Sequence, residues 1–400
     1  MTLGSLKEKR WMQGDMVIWM VFLFLCMISV IEVYSATSTM TYKNGHYWDP
    51  VLRHSVFLGI GVVFAWIITQ VSCNWFKLGS LVVLGVSILF LIAVLFTDKI
   101  NNGARWLEIG KLSFQPSELA KMGLIGFSSF VLSTSRDENG ASKIGTKWVL
   151  GITAFVLFLI AFENLSTAAI IAITILGVLF YAQAPKKYMA IIMGLILLGL
   201  VLGGTSVYAL SKSDTLMEKV ANGPLPLLHR VPTWVHRLTP DGDIPENPED
   251  YKLTENVQTT HANIAIGTCG ILGKGPGNSV QRDYLPQAYS DFIYAIIIEE
   301  TGVFGLFGVM FLYLLLMWQS MKIASRCKSR FPSYLVMGLA LMIVIQAIVN
   351  MGVATGAFPV TGQPLPLISR GGTSTFVNCA YFGMILSVSR TAKRKEENAI

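Results

Sequence analysis

Charge is what this chain has least of. Lys, Arg, Asp and Glu make up 14% of its 400 residues, against about 25% in soluble domains. The charges are bunched between long apolar runs, which excludes an ordinary water-soluble globule and points to a multi-pass membrane protein. Cysteine is scarce too. Cys26, Cys73, Cys269, Cys327 and Cys379 are scattered without a CxxC pair, so neither a disulfide framework nor a zinc site is indicated. The five histidines lack HExxH or similar ligand spacing, and no metal site is expected from them. The net charge of +7 comes from basic residues in short loops between apolar spans. There they read as cytoplasmic anchors rather than a nucleic-acid surface.

Apolar length is what the chain has in abundance. About ten runs approach the ~20 residues needed to cross a bilayer. They lie near 16–36, 55–72, 78–97, 118–134, 148–162, 168–184, 189–211, 292–318, 334–354 and 376–390. The expected fold is all-α, a single integral membrane domain over 1–400, with a large extracytoplasmic loop, 212–290, between spans seven and eight. The run Met16 to Ala36 is too long for a signal-peptide core and has no clear small-residue cleavage site, so it reads as a retained first span. Lys7, Lys9 and Arg10 precede it, and Arg390, Lys393, Arg394 and Lys395 follow the last span. Lys77, the group Arg136, Lys143 and Lys147, the pair Lys186 and Lys187, and the group Lys322 to Arg330 fall in alternate loops. This pattern predicts both termini in the cytoplasm, in a bacterial cytoplasmic membrane.

The opposite face carries long loops rich in Gly and Pro, which usually line sites or move. The most informative string is DFIYAIIIEETG, from Asp291 to Gly302. It puts one carboxylate where a polar loop enters an apolar helix and two more, Glu299 and Glu300, inside that helix. Carboxylates at that depth are costly without a partner or a task. Asp291 reads either as a helix cap or as a general base kept ionised by the helix dipole and a nearby cation. In SFQPSELAK, Pro116 suits a first helical turn, and Glu118 and Lys121 share a face three residues apart. They form an orienting ion pair, a charged wall of an outward cavity, or both.

GILGKGPGN, Gly270 to Asn278, has glycines that let backbone N–H groups converge on an anion, with Lys274 adding charge. It lacks Walker spacing, and on its own it reads first as a flexible turn. Arg370, in LISRGGTS, grips a phosphate or snorkels to the surface. Arg105 and Arg282 are further cationic candidates. Glu32 and Glu163 are explained by interfacial positions.

Four motifs, in order, carry a family resemblance over nearly the whole chain. They are NGARWLEIGKLSFQPSELAK, ENLSTA, IAIGTCGILGKGPGNSVQRDYLPQAYSDFIYAIIIEETG and FPVTGQPLPLISRGGTS. Together they resemble the SEDS family of cell-wall polymerases, which includes FtsW, RodA and SpoVE, and GKGPGNSVQR and YSDFIYAIIIEE look most like the FtsW branch. The resemblance implies a ten-span enzyme that polymerises lipid II into glycan strands at the outer membrane face and releases undecaprenyl pyrophosphate. A class B penicillin-binding protein transpeptidase is its implied partner, alongside other division proteins at the septum. It also implies that Asp291 matches the family's essential aspartate, and that Glu118 and Lys121 match the acid and lysine of its QPSE-x-x-K string. Two positions depart from the pattern. Glu163-Asn164-Leu165-Ser166-Thr167 stands where Pro-Asp-Leu-Gly-Thr is common, and Arg370 where a tyrosine is common.

The chemistry expected from the residues is compatible with that reading. Asp291 is the candidate base for an acceptor sugar hydroxyl. Lys121, Lys274, Arg282, Arg370 and Arg105 are candidates for binding substrate and stabilising the leaving diphosphate. One displacement, inverting the anomeric carbon, is preferred because the loop holds one strong carboxylate candidate. No cofactor is evident. A divalent cation is admissible, although no cluster of oxygen ligands stands out. The alternatives are a flippase for lipid-linked sugars and a non-catalytic division scaffold.

Overall fold

A computed structural model describes residues 13–42, 49–95, 107–109, 112–138, 140–161, 164–194, 255–285 and 289–397. Its helices follow the apolar runs. They are α1 (Met16–Tyr42), α2 (Asp49–Gln70), α3 (Cys73–Leu95), α4 (Pro116–Thr134), α5 (Lys143–Ala161), α6 (Leu165–Tyr181), α7 (Glu255–Gly267), α8 (Ile293–Arg326), α9 (Arg330–Ala354) and α10 (Gly372–Glu397). Residues 186–194 are also helical. The rest of the expected seventh span and most of the 212–290 loop lie outside the described residues. Two short antiparallel pairs depart from an all-helical reading: Leu107–Ile109 with Leu112–Phe114, and Arg136–Asp137 with Gly140–Ala141.

Among the described residues six helices are long and apolar enough to cross a membrane: α1, α2, α3, α5, α8 and α9. With α6 shorter but equally apolar, this is a polytopic helical membrane protein. The surface is greasy, as lipid requires, with Trp75, Leu89, Phe158, Phe304 and Phe311 all exposed. The interior is where the polar groups sit. α4 buries Ser117, Glu118, Lys121, Ser128 and Ser129, and α10 buries Ser374, Thr375, Asn378, Ser387 and Ser389. These two helices carry the polar positions because neighbouring helices shield them. α3 and α9 pack on α4, and α2 and α9 pack on α10.

Two helix starts follow from local sequence. Pro116 occupies the first turn of α4, as expected. Asn164 caps α6, its side chain accepting from Thr167 N at 3.2 Å. α8 is broken within its N-terminal third. Gly302 adopts φ 65°, ψ −146°, a conformation that a residue with a side chain adopts only with strain. The turn containing Gly273 crosses the helix at this break. A Cβ on Gly302 would meet Ile271 O at 2.3 Å, and one on Gly273 would meet Glu300 O at 2.2 Å. Glycine is needed on both sides of the crossing.

Candidate active site

The first two turns of α4 hold a buried ion pair. Lys121 Nζ lies 2.7 Å from Glu118 Oε1, and the two residues are 1% and 3% exposed. The i, i+3 spacing brings the charges together, and burial makes each depend on the other. Lys121 also donates to Gln346 Oε1 at 3.1 Å, and Gln346 Nε2 donates to Pro364 O at 3.0 Å. One turn further along α9, on the same face, Asn350 Nδ2 donates to Asp291 O at 2.9 Å and to Gln363 O at 2.8 Å. Gln363 Nε2 in turn reaches Thr167 Oγ1 at 2.9 Å. Two amides on one helix face thus join the Glu118–Lys121 pair, the loop before α10 and the turn bearing Asp291.

That turn is held from a second side. Ser369 Oγ donates to Ser290 O at 2.6 Å, and Arg370 N donates to Tyr289 O at 3.0 Å. Tyr313, buried in α8, anchors the same loop through Pro366 O at 2.6 Å. Asp291 itself is half-buried, and Ser290 Oγ donates to its Oδ1 at 2.9 Å. It does not cap the helix. The N-cap of α8 is Phe292, with no side-chain cap bond. The extra residue between carboxylate and helix puts Asp291 on the turn instead.

Glu299 and Glu300 are fully buried, and the glycine loop is wrapped around them. Glu299 accepts from Lys274 Nζ at 2.6 Å, Val280 N at 3.2 Å, Gln281 N at 3.3 Å and the Ser279 hydroxyl. Glu300 accepts from Gly277 N at 3.0 Å and the Ser35 hydroxyl. Lys274 N and Gly275 N bond the carbonyls of Glu299 and Glu300 at 2.9 and 2.8 Å. The convergent N–H groups that the sequence suggests do hold an anion, but an internal one. A flexible turn would not make these bonds. Glu32 faces this cluster, within electrostatic reach of Glu300. At 3% exposure, with one oxygen unpartnered, it is inside the bundle rather than at the interface that its sequence position suggests.

The cationic candidates separate. Lys121 and Lys274 are paired with glutamates. Arg282 Nη1 donates to Ser35 O, Ser35 Oγ and Gly277 O at 2.9–3.1 Å, and its Nε lies 3.4 Å from Asp283 Oδ1. Arg370 lies 5.5 Å from the Tyr289 ring centroid. Arg105 and Glu163 lie outside the described residues. No group of three or more His, Cys, Asp and Glu among the described residues is arranged to hold a metal ion.

An apolar cavity of about 580 Å³ opens between α2, α3, α4 and α10, lined by residues including Phe64, Phe76, Leu119, Met122, Thr373 and Phe376. Sequence reading missed Gln346, Asn350, Gln363 and Thr373. The available signal was the two amides four residues apart in the otherwise apolar run of α9.

These features define a polytopic helical membrane protein with a carboxylate-bearing turn tied to a buried ion pair, beside an apolar cavity. The chain belongs to the Cell cycle protein family of FtsW, RodA and SpoVE, which it matches over residues 15–394. It is 30% identical to a probable peptidoglycan glycosyltransferase FtsW of Dichelobacter nodosus, over 98% of this chain and 96% of that one. It is 31% identical to stage V sporulation protein E of Bacillus subtilis, over 95% and 98%. Two solved structures share the fold. One is a chain of a peptidoglycan synthase complex that coordinates polymerization and crosslinking, with TM-score 0.70 and 24% identity over 95% of this chain and 98% of that chain. The other is Thermus thermophilus RodA, with TM-score 0.63 and 23% identity over 95% and 98%.

Proposed function

We propose that this protein is a peptidoglycan glycosyltransferase that polymerises lipid II at the outer face of the bacterial cytoplasmic membrane, in septal cell-wall synthesis. The names of its curated relatives support the activity. The reading of the site rests on one observation: Asn350 and Gln346, on one face of α9, tie the Asp291 turn to the Glu118–Lys121 pair. In this reading Asp291 takes the proton of the acceptor sugar hydroxyl as its oxygen attacks the donor's anomeric carbon. The bond to undecaprenyl pyrophosphate breaks in the same step, inverting that carbon. Lys121 supplies positive charge, kept buried by Glu118 and oriented by Gln346. A divalent cation at the diphosphate would draw ligands largely from the substrate, as Mg²⁺ commonly does.

The full topology belongs to the same proposal: ten spans, both termini cytoplasmic, and the large loop outside with the Asp291 turn. The partner is a class B penicillin-binding protein. Below the Gly302 break, Phe304, Phe307, Phe311, Leu314 and Trp318 are exposed at alternating spacings of three and four. This is the a/d pattern that receives another helix, and it suits the membrane helix of that transpeptidase. The flippase and scaffold readings remain alternatives. Glu118 and Lys121 in the first two turns of α4, and Asp291 on the turn before α8, lie at helix starts, which favours chemistry there over passage through the midplane.

The test is polymerisation of purified lipid II by the chain with its cognate transpeptidase. Wild type should yield glycan polymer and Asp291→Ala should not. Equal polymer from the variant would remove Asp291 as base. Lipid II crossing vesicles without polymer would favour the flippase.

A further inference from the structure

We propose that Arg370, with the first turn of α10, binds the diphosphate of the lipid-linked substrate while the isoprenoid chain occupies the apolar cavity. This inference rests on the glycosyltransferase reading and assigns a subsite within it. Arg370 is the starting point because its charge is not spent. Lys121 and Lys274 each meet a glutamate within 2.7 Å, whereas Arg370 has no carboxylate at ion-pair distance among the described residues. His54 lies within its electrostatic reach.

Arg370 is nevertheless held in place. Its backbone N–H bonds Tyr289 O, and its guanidinium lies near the Tyr289 ring. A cation–ring contact of this kind leaves the guanidinium charge unneutralised. Tyr289 is two residues from Asp291, so Arg370 is tied to the turn that bears the proposed base.

The chain after Arg370 extends the same site. Gly371 and Gly372 lead into α10, a helix of 26 residues. The first N–H groups of a helix have no intrahelical acceptor and carry partial positive charge. A Cβ on Gly372 would meet nothing within 4 Å, so the backbone there is approachable. Thr373 Oγ1 is buried without a hydrogen-bond partner, and Thr373 lines the apolar cavity. The cavity runs on along α10 past Phe376, Val377, Ala380 and Met384. A cation three residues before the cavity-lining Thr373, with the first N–H groups of α10 alongside, matches one chemistry: an anionic phosphate on a long hydrocarbon chain.

That chemistry has two membrane sources, a prenyl diphosphate and an anionic phospholipid, and the structure points to the first because the free Arg370 sits beside the Asp291 turn. The test uses the full chain in detergent, titrated with geranylgeranyl diphosphate, geranylgeraniol and phosphatidylglycerol. Wild type should bind the diphosphate, Arg370→Gln should weaken binding about tenfold or more, and Arg370→Lys should fall between. Geranylgeraniol should bind weakly and alike to wild type and Arg370→Gln. Asp291→Asn should retain diphosphate affinity. The proposal is overturned by equal diphosphate binding in wild type and Arg370→Gln. It is overturned too if phosphatidylglycerol displaces the diphosphate at equal concentration, making Arg370 a general headgroup anchor. Polymerisation by Asp291→Ala would sink the base assignment and leave this binding result standing.

Discussion

Glu299 and Glu300 lie about two helical turns below Asp291 on one stretch of chain, yet the two regions are built in opposite ways. The glutamates are fully buried and surrounded by donors from the glycine loop and α1. Their function is discharged inside the protein. They pin the glycine loop across the Gly302 break. Asp291 sits on a half-buried turn outside the helix, and the protein grips that turn by its backbone through Asn350, Ser369 and Arg370. Gripping the backbone fixes the turn independently of the contacts the Asp291 carboxylate itself makes, among them the Ser290 hydroxyl. The glutamates are held through their side chains and the Asp291 turn through its main chain, a difference that the proposed role of Asp291 as base would use.

The sharpest way to break this contrast is to exchange the outcomes of two alanine variants. Asp291→Ala should reduce lipid II polymerisation by roughly 10²–10⁴-fold, the range for losing a general base, with thermal unfolding in detergent little changed. Glu299→Ala should do the reverse. It strands the partly exposed Lys274 and three further donors, costing about 3–5 kcal/mol, and shows as a lower unfolding temperature. The folded fraction should keep its turnover. A Glu299→Ala protein that is stable but inactive would end the distinction.

The Glu118–Lys121 pair tests the middle ground. Either single change, Glu118→Gln or Lys121→Met, should destabilise by about 3–5 kcal/mol because one buried charge loses its partner. Making both together should restore much of that stability, as seen by unfolding temperature. Polymerisation should stay low in the double variant if Lys121 serves the substrate, and recovered activity would make the pair purely structural. The smallest effect is expected at Lys274. Its side chain is 29% exposed and Glu299 keeps donors from Ser279, Val280 and Gln281, so Lys274→Ala should cost less than the Glu118 or Lys121 changes, about 1–2 kcal/mol in denaturant or thermal unfolding, and leave diphosphate affinity unchanged.

Much of this arrangement is legible along the chain because it is local. Among the described residues, helices lie over several of the apolar runs, and Pro116 marks the start of α4. The three-residue spacing of Glu118 and Lys121 predicts the contact observed at 2.7 Å. Reading fails where the decisive neighbour is distant. Glu32 looks interfacial from its place in the first run, yet packing against α8 buries it beside Glu300. The glycine loop signals an anion cradle without naming the anion. Gln346 and Asn350 look like stray amides in α9 until the loop before α10 folds across them.

Composition alone determined that this protein lives in a membrane, that it is helical, and that its acids deserve suspicion, because hydrocarbon penalises charge wherever it occurs. Only the tertiary structure decided which acids are quenched. The Ser35 hydroxyl reaches Glu300 across 265 residues of sequence, and the Asn350 amide reaches the Asp291 carbonyl across 59. Hydrogen bonds act over about 3 Å, so only folding determines which donors come within reach of each carboxylate.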